Sequence, residues 1–490
     1  MTTSTTDEKV HEELRMLIGG RWVESSGGER FEAFNPATGR VIAMLQKGTR
    51  EDARLAIQAA RKAQPKLASM SIWERSRLLV DIADVMESRK ESLARTLSED
   101  QGKPLWSEAK FEVGKAIEGF RNAAEHVKWL EGETIRVEDP NKRVFTIYQP
   151  RGVYAVVTPW NFPMNIPVEY LAPGLAAGNA IVWVPAPTTS VCAVKLAECL
   201  VEAGVPEGAL NLVTGAGDVV GDEIVSHPET DAVGFTGSAA TGVHIARQAA
   251  GKPCLLEMGG NGPVIVLDDA DMEKAIAATC AGSFSNAGQI CSSSERVLVG
   301  AGIYDEFAER AVEAARQVRL GDPLARASQM GPLNNPAVAQ KVADHLKDSI
   351  DRGASVMFGG KARGDLGSDL FFEPTVLSNV SLESKLNLEE TFGPVVPLIR
   401  VDSDEEIIAI ANRNSYGLVA SVFTQNLKRA YTFAEGIKSG MVNVNDASSY
   451  WELHVPFGGA SGKSSGVGRV GGKYGLREMS DLKTISIDVG

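Results

Sequence analysis

The spacing of apolar residues predicts helices along the first quarter of the chain. Between positions 50 and 127 apolar residues recur every three or four positions among charged ones, the period of helices with one buried face. We expect helices at 52–62, 71–88 and 107–128. The following segment, 132–150, predicts two strands around the turn Asp139-Pro140-Asn141. The exposed edge of this hairpin would favour pairing with a partner subunit.

Farther along, short apolar runs alternate with helical patterns. Between 152 and 258 the strand-like runs are VYAVV, NAIVWV, LNLV, DAVGF and CLLEM, and between 263 and 445 they are VIVLD, RVLV, FFEPTVL, VVPLI, ASVFT and MVNVN. Such alternation predicts an α/β fold with parallel sheets covered by helices on both faces, here in two domains. The closing run LKTISIDV, 482–489, is expected to pair with a distant strand or with another subunit. The apolar stretch 166–187 contains Glu169 and four prolines, which argues against a membrane span.

Composition and charge narrow the function classes. The chain has 490 residues, 43% hydrophobic and 23% charged, which is typical of a globular protein of two to four domains. Fifty basic and 63 acidic residues give a net charge of −13, which disfavours nucleic acid and anionic membranes as partners. The N-terminal MTTSTTDEKVHEELRM lacks the pattern of a secretory signal, so we expect a short mobile lead-in and a cytoplasmic protein.

The five cysteines are odd in number and lack CxxC spacing, which predicts reduced thiols and no metal site. Cys192 and Cys199 lie seven residues apart on one face of an apolar predicted helix, and Cys254 and Cys280 have mainly small or apolar neighbours. These four are predicted to be packing residues. Cys291 lies in the polar stretch SNAGQICSSSERVLV, where a structural and a nucleophilic role are both open on composition alone.

Six motifs occur in a fixed order around this cysteine. They are VVTPWNFPMN (156–165), GFTGSAATG (234–242), LEMGGNGP (256–263), GQICSSSER (288–296), EETFGPVVPL (389–398) and VPFGG (455–459). Together they resemble the aldehyde dehydrogenase superfamily, from about Leu17 to the closing strand. The resemblance implies a Rossmann-type cofactor domain (1–127 and 149–257), an α/β catalytic domain (258–473) and a small β oligomerisation arm (128–148 and 474–490). It also implies a homodimer or homotetramer.

The chemistry of aldehyde oxidation agrees with this resemblance. A hydride leaves a tetrahedral alkoxide more readily than a flat carbonyl, and a thiolate supplies that tetrahedral centre. By resemblance Cys291 is the nucleophile, and the Asn161 amide and the Cys291 backbone N–H hold the oxyanion. Glu257, its pKa raised by desolvation at the end of CLLEM, would activate the water that hydrolyses the thioester. The product would be a free carboxylic acid.

Two alternatives accompany this interpretation. Relatives that pass the acyl group to coenzyme A lack the carboxylate of Glu257, so its presence argues against acylating transfer. A binding protein that keeps the fold without catalysis is the second alternative, motivated by departures from the family pattern at Val184 and Pro187.

The implied cofactor is NAD, with NADP as the alternative. GFTGSAATG is not a GxGxxG motif, but it offers a strand, a turn and a helix start whose N–H groups suit a pyrophosphate. By resemblance Glu390 binds the nicotinamide ribose and Phe392 packs beside it. The residues expected to line the cofactor groove are Val157, Thr158, Pro159, Trp160, Val184, Gly217, Gly221, Phe235, Gly237, Ser238, Met258, Gly259, Glu390 and Phe392.

Val184 and Pro187 stand where many relatives carry the lysine and glutamate that hold the adenosine ribose. Neither side chain can bond a ribose hydroxyl, and the lysine that would pair with a 2′-phosphate is absent, which favours NAD. The anionic cofactor is then expected to bind through backbone N–H groups and a helix end. Asn261 replaces another lysine of the family, with no chemical consequence that we identify. Extra small residues after Val455 predict a longer loop near the domain boundary.

The aldehyde itself is not identified by the sequence. The loop 445–454 and the neighbours of Cys291 predict an aromatic or polar substrate, and Glu169 favours a cationic or hydroxyl-bearing one. Simple packing of Tyr450 and Trp451 is the alternative. The residues expected to line this pocket are Phe162, Glu169, Ile290, Ser292, Tyr450, Trp451 and Phe457.

Overall fold

The first of two large β-sheets organises much of the N-terminal half in the computed structural model, which describes residues 12–490. Most of the expected N-terminal lead-in, residues 1–11, lies outside the described residues. The five central strands of this sheet are parallel and the three outer ones are antiparallel. In spatial order the strands are β20 (Gly466–Val467), β12 (Cys254–Met258), β11 (Ala232–Gly237), β8 (Val153–Thr158), β9 (Ala180–Pro185), β10 (Leu210–Leu212), β2 (Met16–Ile18) and β3 (Arg21–Val23).

The second large sheet has seven strands, all parallel except the edge strand β15. The strand predicted at FFEPTVL is shorter than expected and begins after Pro374, because proline has no N–H for the ladder. In spatial order the strands are β15 (Ser355–Phe358), β16 (Thr375–Ser378), β17 (Val395–Val401), β14 (Arg296–Gly300), β13 (Pro263–Val266), β18 (Val419–Phe423) and β19 (Met441–Val444).

Two three-stranded sheets complete the β-structure. One contains β1 (Glu12–Leu14), β5 (Val41–Gln46) and β4 (Arg30–Phe34). The other contains β21 (Ser480–Asp488), β7 (Lys142–Pro150) and β6 (Thr134–Ile135). The predicted hairpin is therefore present as β6 and β7, and the closing strand pairs with β7 of the same chain along its whole length.

The helices cover both large sheets. The first two begin with capping boxes, Thr49 with Asp52 and Ser71 with Glu74, which fix where they start. The helices are α1 (Arg50–Ser69), α2 (Ile72–Ser88), α3 (Lys90–Gln101), α4 (Lys110–His126), α5 (Asn165–Ala177), α6 (Ser190–Glu202), α7 (Asp222–Ser226), α8 (Ala239–Gln248), α9 (Met272–Phe284), α10 (Tyr304–Arg316), α11 (Pro336–Asp351), α12 (Lys385–Leu388), α13 (Asp404–Arg413), α14 (Leu427–Gly436) and α15 (Gly472–Glu478).

Helix α5 was not predicted, although the stretch 166–187 was expected in a domain interior. It is buried on nearly every side, so its apolar residues show no 3.6-residue period against polar ones. The rest of that stretch contains the buried strand β9. No helix within residues 12–490 has both the length and the apolar character required to cross a bilayer.

Candidate active site

Two cavities meet at the ends of the parallel strands of the first sheet. The first cavity, about 460 Å³, lies at the carboxyl ends of β8, β9, β11 and β12, the edge where open α/β sheets bind ligands. The second cavity, about 480 Å³, is bounded by α4, α5 and the loop before Phe457. Cys291, Glu257, Ile166 and Thr236 line both. The thiol and the carboxyl predicted from the sequence are therefore neighbours at the junction.

Cys291 lies in a tight segment between α9 and β14. The chain reaches it through Asn286 and Ala287, both left-handed with φ of 49° and 53°. Gly260 approaches so closely that a Cβ there would lie 2.2 Å from the Cys291 carbonyl oxygen, so only glycine fits. Burial raises the pKa of the Cys291 thiol, and Glu257 raises it further. The resting thiol therefore keeps its proton, and attack requires a base.

The other four cysteines are placed as packing residues. Cys192, Cys199 and Cys280 are buried, and Cys254 is partly buried at the start of β12. None of the four lines either cavity.

Asn161 is held in a closed network of amides. Its Nδ2 donates to the Gln289 carbonyl oxygen (3.1 Å), and Asn286 Nδ2 donates to the carbonyl oxygens of both Asn161 (3.1 Å) and Gln289 (3.2 Å). Gln101 Nε2 donates to Asn286 Oδ1 (3.0 Å), and both Glu108 carboxylate oxygens accept from the Asn286 N–H (2.9 and 3.0 Å). The network leaves the second Asn161 amide hydrogen for a ligand, because an amide carries two.

Glu257 ends β12 with its carboxyl at the junction. Only 4% of the residue is exposed, and its Oε1 is buried without a hydrogen-bond partner within the described residues. Burial raises its pKa well above the ordinary value, the Glu169 carboxyl raises it further, and Arg469 opposes the shift. A carboxylate of raised pKa is suited to accept a proton near neutral pH.

The first cavity is lined by every predicted groove residue except Gly221. Gly221 is buried just before α7 and is not among the lining residues, so its contact with the cofactor stays a prediction. Ser238 caps α8 by accepting from the Thr241 N–H (3.2 Å), which points the start of that helix at the cavity. The predicted catalytic residues Asn161, Glu257 and Cys291 also line this cavity, as does Pro187. The lining residues that were not predicted are Ile166, Pro185, Ala186, Thr236, Thr241, Val338 and Lys341.

Glu390 lies at the same cavity with one oxygen engaged. Its Oε1 accepts from the Gly260 N–H (3.0 Å), and its Oε2 has no hydrogen bond within the described residues. Burial raises its pKa to about 7, while Lys341 and the Gly260 N–H lower it. Phe392, left-handed with φ 61°, packs edge-on against Trp160 with ring centroids 5.6 Å apart.

Three side chains that support the site were not identified from the sequence. Lys341, on α11, adds a cation to the lining of the first cavity, in addition to the backbone N–H groups and helix end expected from the sequence. Glu295 accepts from the N–H groups of the segment 391–392, both at 2.8 Å. Glu108 holds Asn286. Lys341 and Glu108 lie outside the six motifs, and Glu295 lies within GQICSSSER, where nothing in the motif reveals that it accepts from the backbone of the segment 391–392.

The second cavity is lined by all seven predicted pocket residues. Tyr450 donates to Glu452 Oε1 (2.9 Å), and the Trp451 and Phe457 rings lie 5.2 Å apart. Asn261 lines neither cavity, because its Nδ2 donates to the Asn387 carbonyl oxygen (3.0 Å). Glu257 and Cys291 also line it, with Ser449, Glu452 and Leu453 from the predicted loop 445–454. The lining residues that were not predicted are Phe111, Glu112, Lys115, Asn165, Ile166 and Thr236.

No group of three or more metal-ligating side chains comes together in the part of the chain from residue 12 onward. The polar groups of the two cavities are a thiol, carboxyls, amides and hydroxyls, with Lys341 and Lys115 as lining cations. The arrangement places a thiol and a buried carboxyl between two cavities large enough for small molecules.

Comparison with known proteins agrees with this geometry. The model of the aldehyde dehydrogenase family matches residues 22–485. An NADP+-dependent succinate-semialdehyde dehydrogenase of Escherichia coli is 39% identical over 473 residues, covering 96% of this chain and 97% of that protein. The crystal structure of a succinate-semialdehyde dehydrogenase from Burkholderia pseudomallei superimposes with TM-score 0.95 at 36% identity, covering 99% and 100% of the chains. An NAD+ complex of an aldehyde dehydrogenase from Bacillus cereus gives TM-score 0.94 at 36% identity, covering 98% and 97%.

The α/β fold, with two cavities that meet at Cys291, is that of an oxidoreductase. The chain belongs to the aldehyde dehydrogenase family. It is an NAD(P)-dependent enzyme that oxidises an aldehyde to the carboxylic acid.

Proposed function

We propose that the chain forms a free carboxylic acid by the hydrolytic route, with Cys291 as nucleophile and Glu257 as general base. The observation that carries this proposal is that both side chains line both cavities, at the point where the cavities meet. A substrate carbonyl from the second cavity then reaches the thiol beside the first cavity. Burial raises the pKa of the thiol, so its proton must leave as sulfur attacks. The proton passes to water, which keeps the Glu257 carboxylate for the later hydrolysis.

The tetrahedral alkoxide so formed is stabilised by Asn161 and the Cys291 backbone N–H. Asn161 Nδ2 keeps one hydrogen on the Gln289 carbonyl and offers the other to the oxyanion. The donor is fixed before reaction, so little reorganisation is needed when charge develops.

We expect Asn286→Ala to lower kcat by about 10- to 100-fold with a much smaller change in KM. Asn286 touches neither cavity but bonds the backbone on both sides of the oxyanion site, so its loss misplaces donors needed mainly in the transition state. Steady-state kinetics at saturating cofactor test this. Asn286→Asp keeps an acceptor for Gln101 but loses the donors, so it should behave like the alanine variant. A loss confined to KM would contradict the positioning role.

The first cavity fits NAD(P). Gly217 lines it, and a Cβ placed there would meet nothing within 4 Å. Glu390 Oε2 is available to ribose hydroxyls, and the start of α8 suits the pyrophosphate. When bound, the nicotinamide accepts the hydride that leaves the alkoxide carbon.

Hydrolysis of the resulting Cys291 thioester completes the cycle. The Glu257 carboxylate takes a proton from water as the water attacks, and the leaving Cys291 thiolate then takes up that proton, which restores the resting enzyme. Its buried, unpartnered oxygen is free to bind that water. Transfer to coenzyme A requires no such base, so Glu257 favours the acid-forming route.

We expect NAD+ to be preferred over NADP+ by about tenfold or more in kcat/KM. The wall formed by Val184, Pro187 and Gly217 offers no cation to a 2′-phosphate, and Lys341 faces Glu390 instead. Pro187 is exposed, and Pro187→Arg should raise kcat/KM for NADP+ by about tenfold through a charge-assisted hydrogen bond. Pro187→Ala is the matched control. A wild-type enzyme that favours NADP+ would contradict this assignment.

We also propose the domain limits and assembly expected from the sequence. The first sheet would be the core of the cofactor domain and the second that of the catalytic domain, although β20 from 258–473 joins the first sheet.

The arm 128–148 and 474–490 would pair subunits of a cytoplasmic homodimer or homotetramer, and a solution mass of one chain would contradict this assembly. Exposed apolar side chains on the arm support this: Ile135, Val137, Ile147, Leu482, Ile487 and Val489.

The route is tested by product analysis with a panel of aldehydes, each nucleotide, and coenzyme A present or absent. Free acid formed at the same rate without coenzyme A is the expected result. An acyl-coenzyme A product would support the acylating alternative, and no turnover by folded protein would support the silent binding protein.

A further inference from the structure

Carboxyl side chains outnumber cations in the lining of the second cavity. Four carboxyl side chains line it, from Glu112, Glu169, Glu257 and Glu452, against one cation, Lys115. Lys115 is itself paired, with its Nζ 2.8 Å from Glu118 Oε2. Resting on the proposed function, we propose that Glu169 selects an aldehyde whose tail bears a positive charge, such as an ammonium or trimethylammonium group.

Glu112 is not the group that meets a ligand. Its Oε2 is 2.5 Å from Lys103 Nζ, and its Oε1 accepts from the N–H groups of Met164 (2.9 Å) and Asn165 (3.2 Å). Both partners of this pair are buried, with 1% and 2% of their side chains exposed. The charge of Glu112 is therefore balanced, and its hydrogen-bonding capacity is used by the protein.

Glu169, in contrast to Glu112, has neither a paired cation nor a full set of hydrogen bonds within the described residues. It lies one turn along α5 from Asn165, whose Nδ2 donates to Glu169 Oε1 (3.0 Å). Within the described residues no lysine, arginine or histidine nitrogen lies within ion-pair distance of it. Burial raises its pKa to about 8, which is the response of a carboxyl without a cation. A cationic ligand would restore its ionised form.

Asn165 supplies a second hydrogen-bond acceptor beside Glu169 that lacks a donor within the described residues. Its Oδ1 is buried without a hydrogen-bond partner within residues 12–490, and Asn165 lines the same cavity. Buried polar atoms of folded proteins are rarely left unpaired, so an atom of this kind beside a binding cavity indicates a donor in the ligand. A primary ammonium group is such a donor, whereas a trimethylammonium group has no N–H and would meet only the charge of Glu169.

Aromatic rings form much of the remaining wall. Trp451 and Phe457 pack together on one side, with Tyr450 toward the mouth. Ring faces attract cations at short range, and the buried Lys103 Nζ already lies 3.3 Å from the centroid of Phe162. A carboxylate tail would gain nothing from the ring faces, the lining cation Lys115 is already paired with Glu118, and an ionised Glu169 would repel it.

The wild-type enzyme is tested with three aldehydes of different charge. 4-(Trimethylammonio)butanal is the cation, 5,5-dimethylhexanal is its neutral isostere and succinate semialdehyde is the anion. We expect kcat/KM to fall in that order, with about a tenfold difference between the first two. Higher kcat/KM for succinate semialdehyde than for the cation would overturn the proposal. Absence of turnover with all three and with simple alkanals would instead refute the proposed function.

Variants of Glu169 test the residue itself. Glu169→Gln should lower the ratio of kcat/KM for the cation over the neutral isostere by about tenfold, mainly through KM, whereas Glu169→Asp should retain most of the ratio. Glu405→Gln, on the exposed surface of α13, is the matched control for loss of one carboxyl. An equal loss for both aldehydes in Glu169→Gln would assign Glu169 to the chemistry through Glu257 and overturn its role in selection.

Discussion

Cys291→Ala should reduce cofactor reduction by at least about a thousandfold, to the background of the assay. The thiol is the only nucleophile that our mechanism places at the junction of the two cavities, and without it no tetrahedral alkoxide forms to release a hydride. The measurement is the initial rate of NAD(P)H formation at saturating aldehyde. Cofactor affinity should survive, because the contacts proposed for NAD(P) lie on other residues.

Cys192→Ala is the control for this variant. Cys192 is fully buried on α6 and lines neither cavity, so its loss should lower stability while leaving activity per folded molecule largely intact. Thermal unfolding of both variants separates lost folding from lost chemistry. Dehydrogenase activity retained in Cys291→Ala would refute the nucleophile assignment.

Glu257→Gln should separate the two halves of the reaction. We expect a rapid burst of NAD(P)H close to about one equivalent per active site, followed by a steady rate lowered by about 10²- to 10⁴-fold. The amide keeps the shape of the side chain but cannot accept the proton of the attacking water. Stopped-flow absorbance resolves the two phases, and mass spectrometry should detect the acylated Cys291 after the burst.

The pH dependence of the slow phase provides a second check on Glu257. Because its pKa is raised in the folded enzyme, the carboxylate form increases as pH rises, so wild-type deacylation should accelerate with pH. The glutamine variant should lose this dependence. Equal slowing of burst and steady phases would give Glu257 a different role, such as activation of the thiol alone.

The sequence predicted the chemistry because that chemistry is local. The motifs around Asn161, Glu257 and Cys291 each place a reacting group on a short segment that is recognisable without its neighbours. Strands such as β8 and β9 were predicted for a similar reason, since a strand buried on both faces is a short apolar run. Helix α5 was missed because a helix buried all round has no amphipathic period.

Only the tertiary structure decided how distant segments combine at the site. Glu108 and Gln101 hold Asn286, more than 170 positions later, and Lys341 reaches the cofactor cavity from α11. Glu169 was named from the sequence, but its lack of a cation follows from what surrounds it. The physical reason is that burial, pairing and desolvation depend on every neighbour in space, whereas the nature of a reacting group is a property of one residue. The sequence by itself determined the reaction, and the fold decided which charged side chains remain unpaired and can interact with the substrate.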